Sequence, residues 1–418
     1  MKENDIQQNV QQNLSFYGMG LAPKILESLA KLKFTIPMPI QHKAIPIALE
    51  GKDVVGVAQT GTGKTLAFAL PMIQRLAAMN NCRGLVLVPT RELALQVNEV
   101  YQEFFFVFHT KTTVLIGGDS MYRQISQLNN NPQVIIATPG RLIDHIQKKN
   151  VSLSNVKILV LDEADRMLDM GFTYQIEQIL KTIPRERQTM LFSATIPEEI
   201  MKITSRYMQL PVNIEIARSG TTADNIMQEL YVVKKEDKIT LLEKILKQYK
   251  GSVLLFSRTK RNATKITRKL RAMGHNAAEI HSDLNLNQRK TSLEGFKSGK
   301  YRILAATDIA ARGIDVFGIE VVINFDIPDD KENYVHRIGR TGRAGQKGIA
   351  ISFATPDQAT EVRNIEKLIR SNIRVTNHPE MPAEKFTEYT GTQFARKRFI
   401  PRSRLHKARK FTPSRRSF

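Results

Sequence analysis

The sequence contains no tryptophan and a single cysteine, Cys82, among 418 residues. One cysteine excludes a disulfide within the chain and a metal site built from several cysteines, so we expect Cys82 to be a small, partly buried residue. No stretch approaches the roughly 18 consecutive apolar residues of a membrane span. The N-terminus, "MKENDIQQNVQQNLS", lacks the apolar core of a signal peptide. We therefore expect a soluble, cytoplasmic protein with no membrane partner.

Acidic residues are scarce relative to basic ones, with 40 Asp and Glu against 62 Lys and Arg, a net charge of +22. A compact protein tolerates such self-repulsion best when it binds a polyanion, so nucleic acid is the first candidate partner. An anionic membrane surface, or solubility alone, is the alternative. Ten of the cations lie in the acid-free tail from Arg396 onward, which leaves +12 on the preceding residues. The body of the protein is therefore basic without its tail.

The length exceeds what one hydrophobic core usually serves, which predicts two domains of about 150 to 200 residues. Short β-branched runs alternate with helix-length segments in both halves, a pattern typical of doubly wound parallel α/β sheets. The strands are predicted at residues 53–57, 85–88, 114–116, 134–137, 158–161 and 189–192, and at 253–256, 277–281, 303–306, 320–324 and 349–353. The predicted parts are an N-terminal extension (1–14), a first domain (15–211), a linker (212–224), a second domain (225–371) and a flexible basic tail (372–418).

The stretch "AQTGTGKT" after the first predicted strand fits a phosphate-binding loop, except that Ala58 replaces its first glycine. Gly61 and Gly63 allow backbone N–H groups to turn toward phosphates, Lys64 supplies a charge to the β and γ phosphates, and Thr65 offers a hydroxyl to Mg²⁺. A chance glycine-rich turn is the alternative. The predicted nucleotide-binding residues of this loop are Ala58, Gln59, Thr60, Gly61, Thr62, Gly63, Lys64 and Thr65.

The run "KILVLDEAD" ends a predicted buried strand in Asp162, Glu163 and Asp165. Parallel strands expose their carboxyl ends at one sheet edge, where ligands bind. Asp162 is therefore predicted to lie near the Mg²⁺ that Thr65 contacts, and Glu163 to polarise the attacking water. The alternative is a helix N-terminus, where acidic residues are favoured by the dipole, and it applies best to Asp165.

These motifs, in this order, resemble those of the DEAD-box RNA helicases from about Phe16 to Phe353. The resemblance implies two RecA-like domains, ATP and Mg²⁺ as cofactors, and single-stranded and duplex RNA as partners. The short length and basic tail are similar to the bacterial RhlE-like members. The resemblance leaves open the oligomeric state and whether ribosomal or RNA-decay complexes are partners.

The resemblance assigns further nucleotide contacts. In "FTIPMPIQ", Phe34 is expected to stack on adenine and Gln41 to bond its polar edge, although Lys33 stands where the family usually has glycine. In the second half, Asp315 is expected to contact the ribose. Arg340 and Arg343 are expected to act as catalytic arginine fingers on the γ-phosphoryl group. Residues expected to couple the nucleotide and RNA sites are Asp165, Ser193 and Thr195, and His336 is expected to join the coupling contacts that link the two domains.

RNA contacts are expected from short motifs that follow strands in both halves, which would grip sugars and phosphates with little regard for base sequence. These residues are Pro89, Thr90, Arg91, Gly117, Gly118, Thr138, Pro139, Gly140, Arg141, Thr259, Arg289 and Thr307. The stretch "HSDLNLNQR" departs from the family, because Leu286 stands where glutamine is expected and Ser282 where glycine is expected. This departure puts part of the contact made by Arg289 in doubt.

The tail mixes Arg and Lys with four phenylalanines, Phe394, Phe399, Phe411 and Phe418. That composition suits phosphate attraction with base stacking, and a solubilising role is the alternative. The resemblance implies an ATP-dependent RNA helicase whose ATP hydrolysis is stimulated by RNA and coupled to local unwinding of RNA or remodelling of RNA–protein complexes. A non-catalytic RNA-binding or annealing protein and a DNA-directed helicase are the alternatives.

Overall fold

The computed structural model of the protein describes residues 15–58, 61–216, 226–311, 316, 318–342 and 347–387. Its described part forms two seven-stranded sheets, each covered by helices on both faces. This arrangement confirms the predicted fold class of two parallel α/β domains. No helix in the described ranges is both long and apolar enough to cross a membrane.

The first sheet is parallel throughout, with the strand order β3-β4-β2-β5-β6-β1-β7. Its strands are β1 (Val54–Val57), β2 (Arg83–Leu87), β3 (Thr112–Leu115), β4 (Val134–Ala137), β5 (Val156–Asp162), β6 (Gln188–Ser193) and β7 (Val212–Glu215). Its helices are α1 (Pro23–Lys31), α2 (Pro39–Leu49), α3 (Lys64–Ala77), α4 (Arg91–Glu103), α5 (Phe105–Phe108), α6 (Met121–Asn129), α7 (Pro139–Gln147), α8 (Ala164–Asp169), α9 (Thr173–Thr182) and α10 (Glu198–Tyr207).

The second sheet is also parallel, with the order β10-β11-β9-β12-β13-β8-β14. Its strands are β8 (Ile226–Val232), β9 (Val253–Phe256), β10 (Ala277–Ile280), β11 (Ile303–Ala306), β12 (Val321–Asn324), β13 (Gly348–Ala354) and β14 (Arg374–Val375). Its helices are α11 (Lys238–Gln248), α12 (Lys260–Ala272), α13 (Leu286–Lys297), α14 (Asp308–Ala311), α15 (Lys331–Ile338) and α16 (Ala359–Ile369).

The two sheets have the same strand order when each is numbered from its own first strand. In both, a lysine begins the helix after the first strand: Lys64 begins α3 and Lys238 begins α11. Lys238 is buried and bonds to Asp326, just after β12, at 3.2 Å and to the carbonyl of Phe325 at 2.8 Å. The lysine of the second domain is therefore neutralised by its own sheet.

Central strands are buried on both faces, and alternate residues enter separate cores. In β2, Leu85 and Leu87 pack on one face, while Val86 packs on the other with Phe68 and Phe192. The continuous apolar runs that predicted these strands are therefore those of strands with helices on both sides.

Sequence reasoning did not predict the strands β7, β8 and β14. Val212–Glu215 pair with β1, so the predicted linker start at 212 is wrong and the first sheet extends to Glu215. Arg374–Val375 pair with β8 inside the predicted tail. These strands are short and half exposed, and β8 is interrupted by polar residues, so none gives a clear apolar run. Residues 1–14, 217–225 and 388–418 lie outside the described residues, so the other domain boundaries and the tail remain predictions.

The geometry at the end of α1 shows why glycine is favoured before Phe34, where this chain has Lys33. Phe34 N donates to Leu29 O at 2.8 Å and Lys33 N to Ala30 O at 3.0 Å, the bonding pattern of a Schellman cap. Lys33 occupies the left-handed position of this cap, with φ 63°. Glycine adopts that conformation without the steric cost of a Cβ atom, so lysine is strained here.

We expect Lys33→Gly to raise the free energy of unfolding of the first domain by about 1 kcal/mol, because it removes this strain. Calorimetry of the nucleotide-free protein measures the shift in its thermal midpoint. The matched control is Lys31→Gly, two residues earlier in right-handed helix, which should lower stability by a similar amount. A lower midpoint for both variants would contradict the interpretation.

Candidate active site

The predicted phosphate-binding loop connects β1 to α3 at the carboxyl edge of the first sheet. Gly61 and Gly63 have φ angles of 81° and 82°, which glycine adopts without strain. Gln41 is buried beside this loop: its Nε2 donates to Gly63 O at 3.0 Å, and its Oε1 accepts from Met38 N at 2.9 Å. Gln41 therefore supports the loop, and its contact with adenine stays a prediction.

Lys64 lies at the start of α3 with its ammonium group turned into the loop. Its Nζ donates to Ala58 O at 2.9 Å, and only 5% of the residue is exposed. Thr65 follows on the same helical turn and is half-buried. Phe34 is 40% exposed at the cap of α1, as a stacking surface for a base requires. The loop thus has the charge and the helix N-terminus of a phosphate site.

The carboxylates predicted as catalytic lie where β5 ends. Asp162 is the last residue of the strand, and Glu163 has a left-handed backbone, with φ 51° and ψ 50°. A non-glycine residue in that conformation stores strain, and such strain clusters at functional sites. The left-handed turn separates the two neighbouring side chains and starts α8. Both residues are buried, 2% and 4% exposed.

The pKa values of the two neighbouring carboxylates shift in opposite directions. Burial raises the pKa of Asp162 to about 6, although Lys64 opposes the rise. Burial also acts to raise the pKa of Glu163, but the cations of Arg166, Lys64 and Arg340 outweigh it and hold that pKa below its ordinary value. Glu163 is therefore ionised at neutral pH despite its burial.

Ser193, at the end of β6, joins the phosphate loop to the carboxylate segment. Its carbonyl accepts from Ala58 N at 2.9 Å, and its hydroxyl accepts from Asp165 N at 3.2 Å. Asp165 Oδ2 in turn accepts from Ala194 N at 3.1 Å and from Thr195 N and Oγ1 at 2.9 and 3.1 Å. Asp165 therefore bonds the segment that was predicted to couple the two sites, and it carries no catalytic geometry of its own.

Side chains of the second domain reach this cluster. Arg166 is 1% exposed; its Nη1 donates to Glu163 Oε2 at 2.9 Å, and its Nη2 lies 3.0 Å from His336 Nδ1. Arg340 is also buried, and its charge is one of those that lower the pKa of Glu163. The structure thus brings two of the predicted second-domain residues to the carboxylates of the first.

The motifs predicted to contact RNA on the first domain meet at the carboxyl ends of β2, β3 and β4. The Arg91 guanidinium lies against the backbone of Gly117 and Gly118, where a Cβ at Gly118 would lie 2.3 Å from its Nη1. Arg141 Nη1 donates to Asp119 O at 3.1 Å. The hydroxyl of Thr90 caps α4, and Thr138 precedes α7, whose first residues are Pro139 and Gly140. These predicted contacts therefore lie side by side at the ends of three neighbouring strands.

On the second domain, Thr259 and Thr307 follow the neighbouring strands β9 and β11. Arg289 is turned elsewhere: it is 8% exposed, and its Nη2 bonds Glu92 Oε2 on α4 at 2.7 Å. Leu286, one turn earlier on α13, packs against the apolar core of the first domain. Arg289 is thus seen in an ion pair between the domains, and the departure at Leu286 makes an apolar contact beside it.

Comparisons with known proteins cover both domains. The sequence model of the DEAD/DEAH box helicases matches residues 38–203, and that of the helicase conserved C-terminal domain matches residues 237–345. The ATP-dependent RNA helicase CshA of Listeria monocytogenes is 45% identical over 366 residues, 87% of this chain and 70% of the relative. CshA of Geobacillus kaustophilus is 42% identical over 369 residues, 88% of this chain and 79% of the relative. This chain belongs to the DEAD-box family of ATP-dependent RNA helicases.

A solved structure agrees with this assignment. S. cerevisiae Dbp5 bound to RNA and ADP BeF3 superimposes with a TM-score of 0.76 at 33% identity, covering 87% of this chain and 95% of the Dbp5 chain. The two sheets are therefore RecA-like domains of a DEAD-box helicase. The predicted site residues Gln59, Thr60, Asp315 and Arg343 lie outside the described residues of this helicase, and their roles stay predictions. The RhlE-like subgroup also stays a prediction.

Sequence reasoning missed three buried residues of the helicase. Arg166 follows the carboxylate motif directly, and Glu92 follows Arg91, so both stood beside recognised residues without a signal of their own. Arg337 is 2% exposed; it donates two bonds to Asp308, at 2.5 and 2.7 Å, and lies over the Phe256 ring. This contact fixes α15, which carries His336. Its hint in the sequence was its place directly after His336 and two residues before the recognised Gly339–Arg340 pair.

The Glu92–Arg289 ion pair gives a prediction about domain closure. We expect Glu92→Gln and Arg289→Gln each to raise the RNA concentration for half-maximal ATP hydrolysis about ten-fold, because each leaves a buried charge unpaired. The double variant should resemble either single variant, with a coupling free energy of about 1 kcal/mol or more. Titration of ATPase activity with RNA measures all four proteins. Additive effects of the two substitutions would contradict the predicted contact.

Proposed function

We propose that this helicase hydrolyses ATP at the boundary between its two domains, and that the domains close over RNA to complete the site. The observation that carries the proposal is the buried contact of Glu163 with Arg166, which also bonds His336 of the second domain. Glu163 is ionised and so has the charge of a general base for the attacking water. Lys64, with the N-terminus of α3, binds the phosphates.

Arg340 is the described candidate for an arginine finger. It belongs to the second domain, yet its charge acts on Glu163, so it joins the site only when the domains are together. Positive charge at that position would stabilise the transferring γ-phosphoryl group. Separation of the domains would remove both this charge and the His336 contact, and hydrolysis should therefore depend on closure.

The donor set at the carboxyl edge also fits Mg²⁺. Asp162 is a buried carboxylate whose pKa is raised by burial, a cost that a divalent cation would offset. No cluster of three or more His, Cys, Asp or Glu side chains occurs in the described ranges that could hold a metal by itself. Mg²⁺ is commonly bound through one or two protein groups with substrate phosphates and waters. Asp162 and Thr65 would hold it, and when bound it neutralises phosphate charge.

In this proposal RNA favours closure because the RNA-binding surface of the protein is divided between the two domains. The first-domain part contains Arg91, Gly118 and Arg141, and the second-domain part contains Thr259 and Thr307. A single strand that contacts both parts would favour the closed arrangement by its differential affinity. Strand separation follows if the path across the two domains does not accommodate a duplex, and ATP hydrolysis then allows release.

We expect Glu163→Gln to retain binding of ATP and RNA while lowering RNA-stimulated turnover by about 100-fold or more, because the amide cannot accept the proton of water. Phosphate release measures turnover, and fluorescent nucleotide and RNA titrations measure binding. Glu199→Gln, an exposed carboxylate in the first turn of α10, is the matched control and should behave as wild type. Turnover of Glu163→Gln near the wild-type rate would contradict the assignment.

The dependence on closure gives a second expectation. Single-stranded RNA should stimulate hydrolysis by the wild-type helicase, because Arg340 reaches Glu163 only when the domains meet. Single-stranded DNA of the same sequence is the matched ligand and should stimulate it less, because it lacks the 2′-hydroxyl. Steady-state ATPase assays with both strands measure the difference. Equal turnover with and without RNA would contradict the proposal.

A further inference from the structure

Helix α12 carries an unusual concentration of positive charge. Its 13 residues, "KRNATKITRKLRA", contain six cations and no acidic residue. The chain before Arg396 has a net charge of +12, and no other described helix has so large an excess of Lys and Arg over Asp and Glu. The charged residues are Lys260, Arg261, Lys265, Arg268, Lys269 and Arg271.

The helix divides cleanly into a buried face and a basic face. Ala263, Ile266 and Leu270 pack into the second domain, while the cations are exposed. Lys260 pairs with Asp283 at 2.6 Å, and Arg271 Nε bonds the Ala277 carbonyl at 2.8 Å. In the described ranges, none of the other four cations has a carboxylate within ion-pair distance. The charge of Arg261 acts on Asp283 and helps to lower its pKa, but no ion pair in the described ranges balances the repulsion among these four cations.

Three of these cations form one row. Arg261, Lys265 and Arg268 are spaced i, i+4 and i+7, so they share one side of the helix over about 10 Å. This basic row begins next to Thr259, whose hydroxyl accepts from Asn262 N at 3.2 Å and caps the helix. Thr259 lies at the carboxyl edge where the RNA surface is proposed. The row therefore runs from that edge down the flank of the second domain.

We propose that the basic row on α12 binds phosphates of RNA that continues beyond the strand held between the two domains. This inference rests on the proposed function, because it extends the same RNA surface. Exposed cations without base-reading groups suit sequence-independent contact with a phosphate backbone. An acidic protein is less suited, because protein interfaces are anchored by buried aromatic or aliphatic residues and the row contains none.

The test compares two triple variants with equal loss of charge. Arg261→Gln/Lys265→Gln/Arg268→Gln removes the basic row while keeping helix propensity. The control, Arg363→Gln/Lys367→Gln/Arg370→Gln, removes three exposed cations with the same spacing around α16. The apolar face of α16 packs in a core with Ala350 and Ala354 of β13, whereas α12 packs with Ile351 and Phe353, so the two helices cover opposite faces of one sheet.

The measurement is equilibrium binding to single-stranded RNAs of increasing length, starting from the shortest that fully stimulates ATP hydrolysis. The wild type and the α16 control should bind longer strands more tightly, whereas the α12 variant should lose about ten-fold in affinity for them near 0.1 M salt. Its slope of log affinity against log salt should be smaller by roughly 2, from three lost phosphate contacts.

The shortest RNA separates this inference from the proposed function. It should stimulate ATP hydrolysis equally in all three proteins, because the basic row lies outside the strand between the domains. Failure of every RNA length to stimulate ATP hydrolysis by the wild type would contradict the proposed function instead. The inference would be overturned if the α12 variant bound long RNA like the wild type, even if the basic row then bound an acidic protein. It would also be overturned if the α16 control lost as much affinity as the α12 variant.

Discussion

Glu163 keeps a negative charge in a position that water hardly reaches, and the surrounding site is built around that charge. Burial by itself would raise the pKa of the carboxylate, but three cations reverse the effect and lower it. Two of these cations, Arg166 and Lys64, belong to the first domain, and the third, Arg340, belongs to the second. An isolated first domain would therefore hold the carboxylate with less compensation. This constraint links the electrostatics of the site to the association of the domains.

Hydrogen bonds connect the segment that contains Glu163 to the other functional segments. Glu163 begins α8 from a left-handed turn, and two residues later Asp165 receives three bonds from the segment after β6. Ser193 also accepts from Ala58, at the entrance of the phosphate loop. A shift in the loop can thus reach the carboxylates through a short series of hydrogen bonds that involves the backbone and the short side chains of Ser193 and Asp165. Such short connections suit the transmission of nucleotide state.

Sequence reasoning located those features whose signal lies in neighbouring residues. The phosphate loop, the carboxylates after β5 and the central strands are each encoded within a few positions. It anticipated that His336 would link the domains, but it did not identify the partners in contacts between distant segments: Arg166 and His336 are 170 positions apart, and Glu92 and Arg289 are 197 apart. Those pairs depend on the packing of two domains, which no local pattern specifies. The edge strand β7 was missed for a related reason, because only Ile214 of its four residues is buried.

The shared strand order of the two sheets has an evolutionary reading. Two domains with one topology, each beginning its first long helix with a lysine after the first strand, are most simply explained by duplication of an ancestral unit. In the second copy, Asp326 and two main-chain carbonyls occupy the ammonium of Lys238. That copy retains the strand order of the first, but the charge of Lys238 is already bound within its own domain. Descent from one unit has thus produced two unequal copies: the first turns its lysine into a glycine-rich loop, and the second binds its lysine to its own sheet.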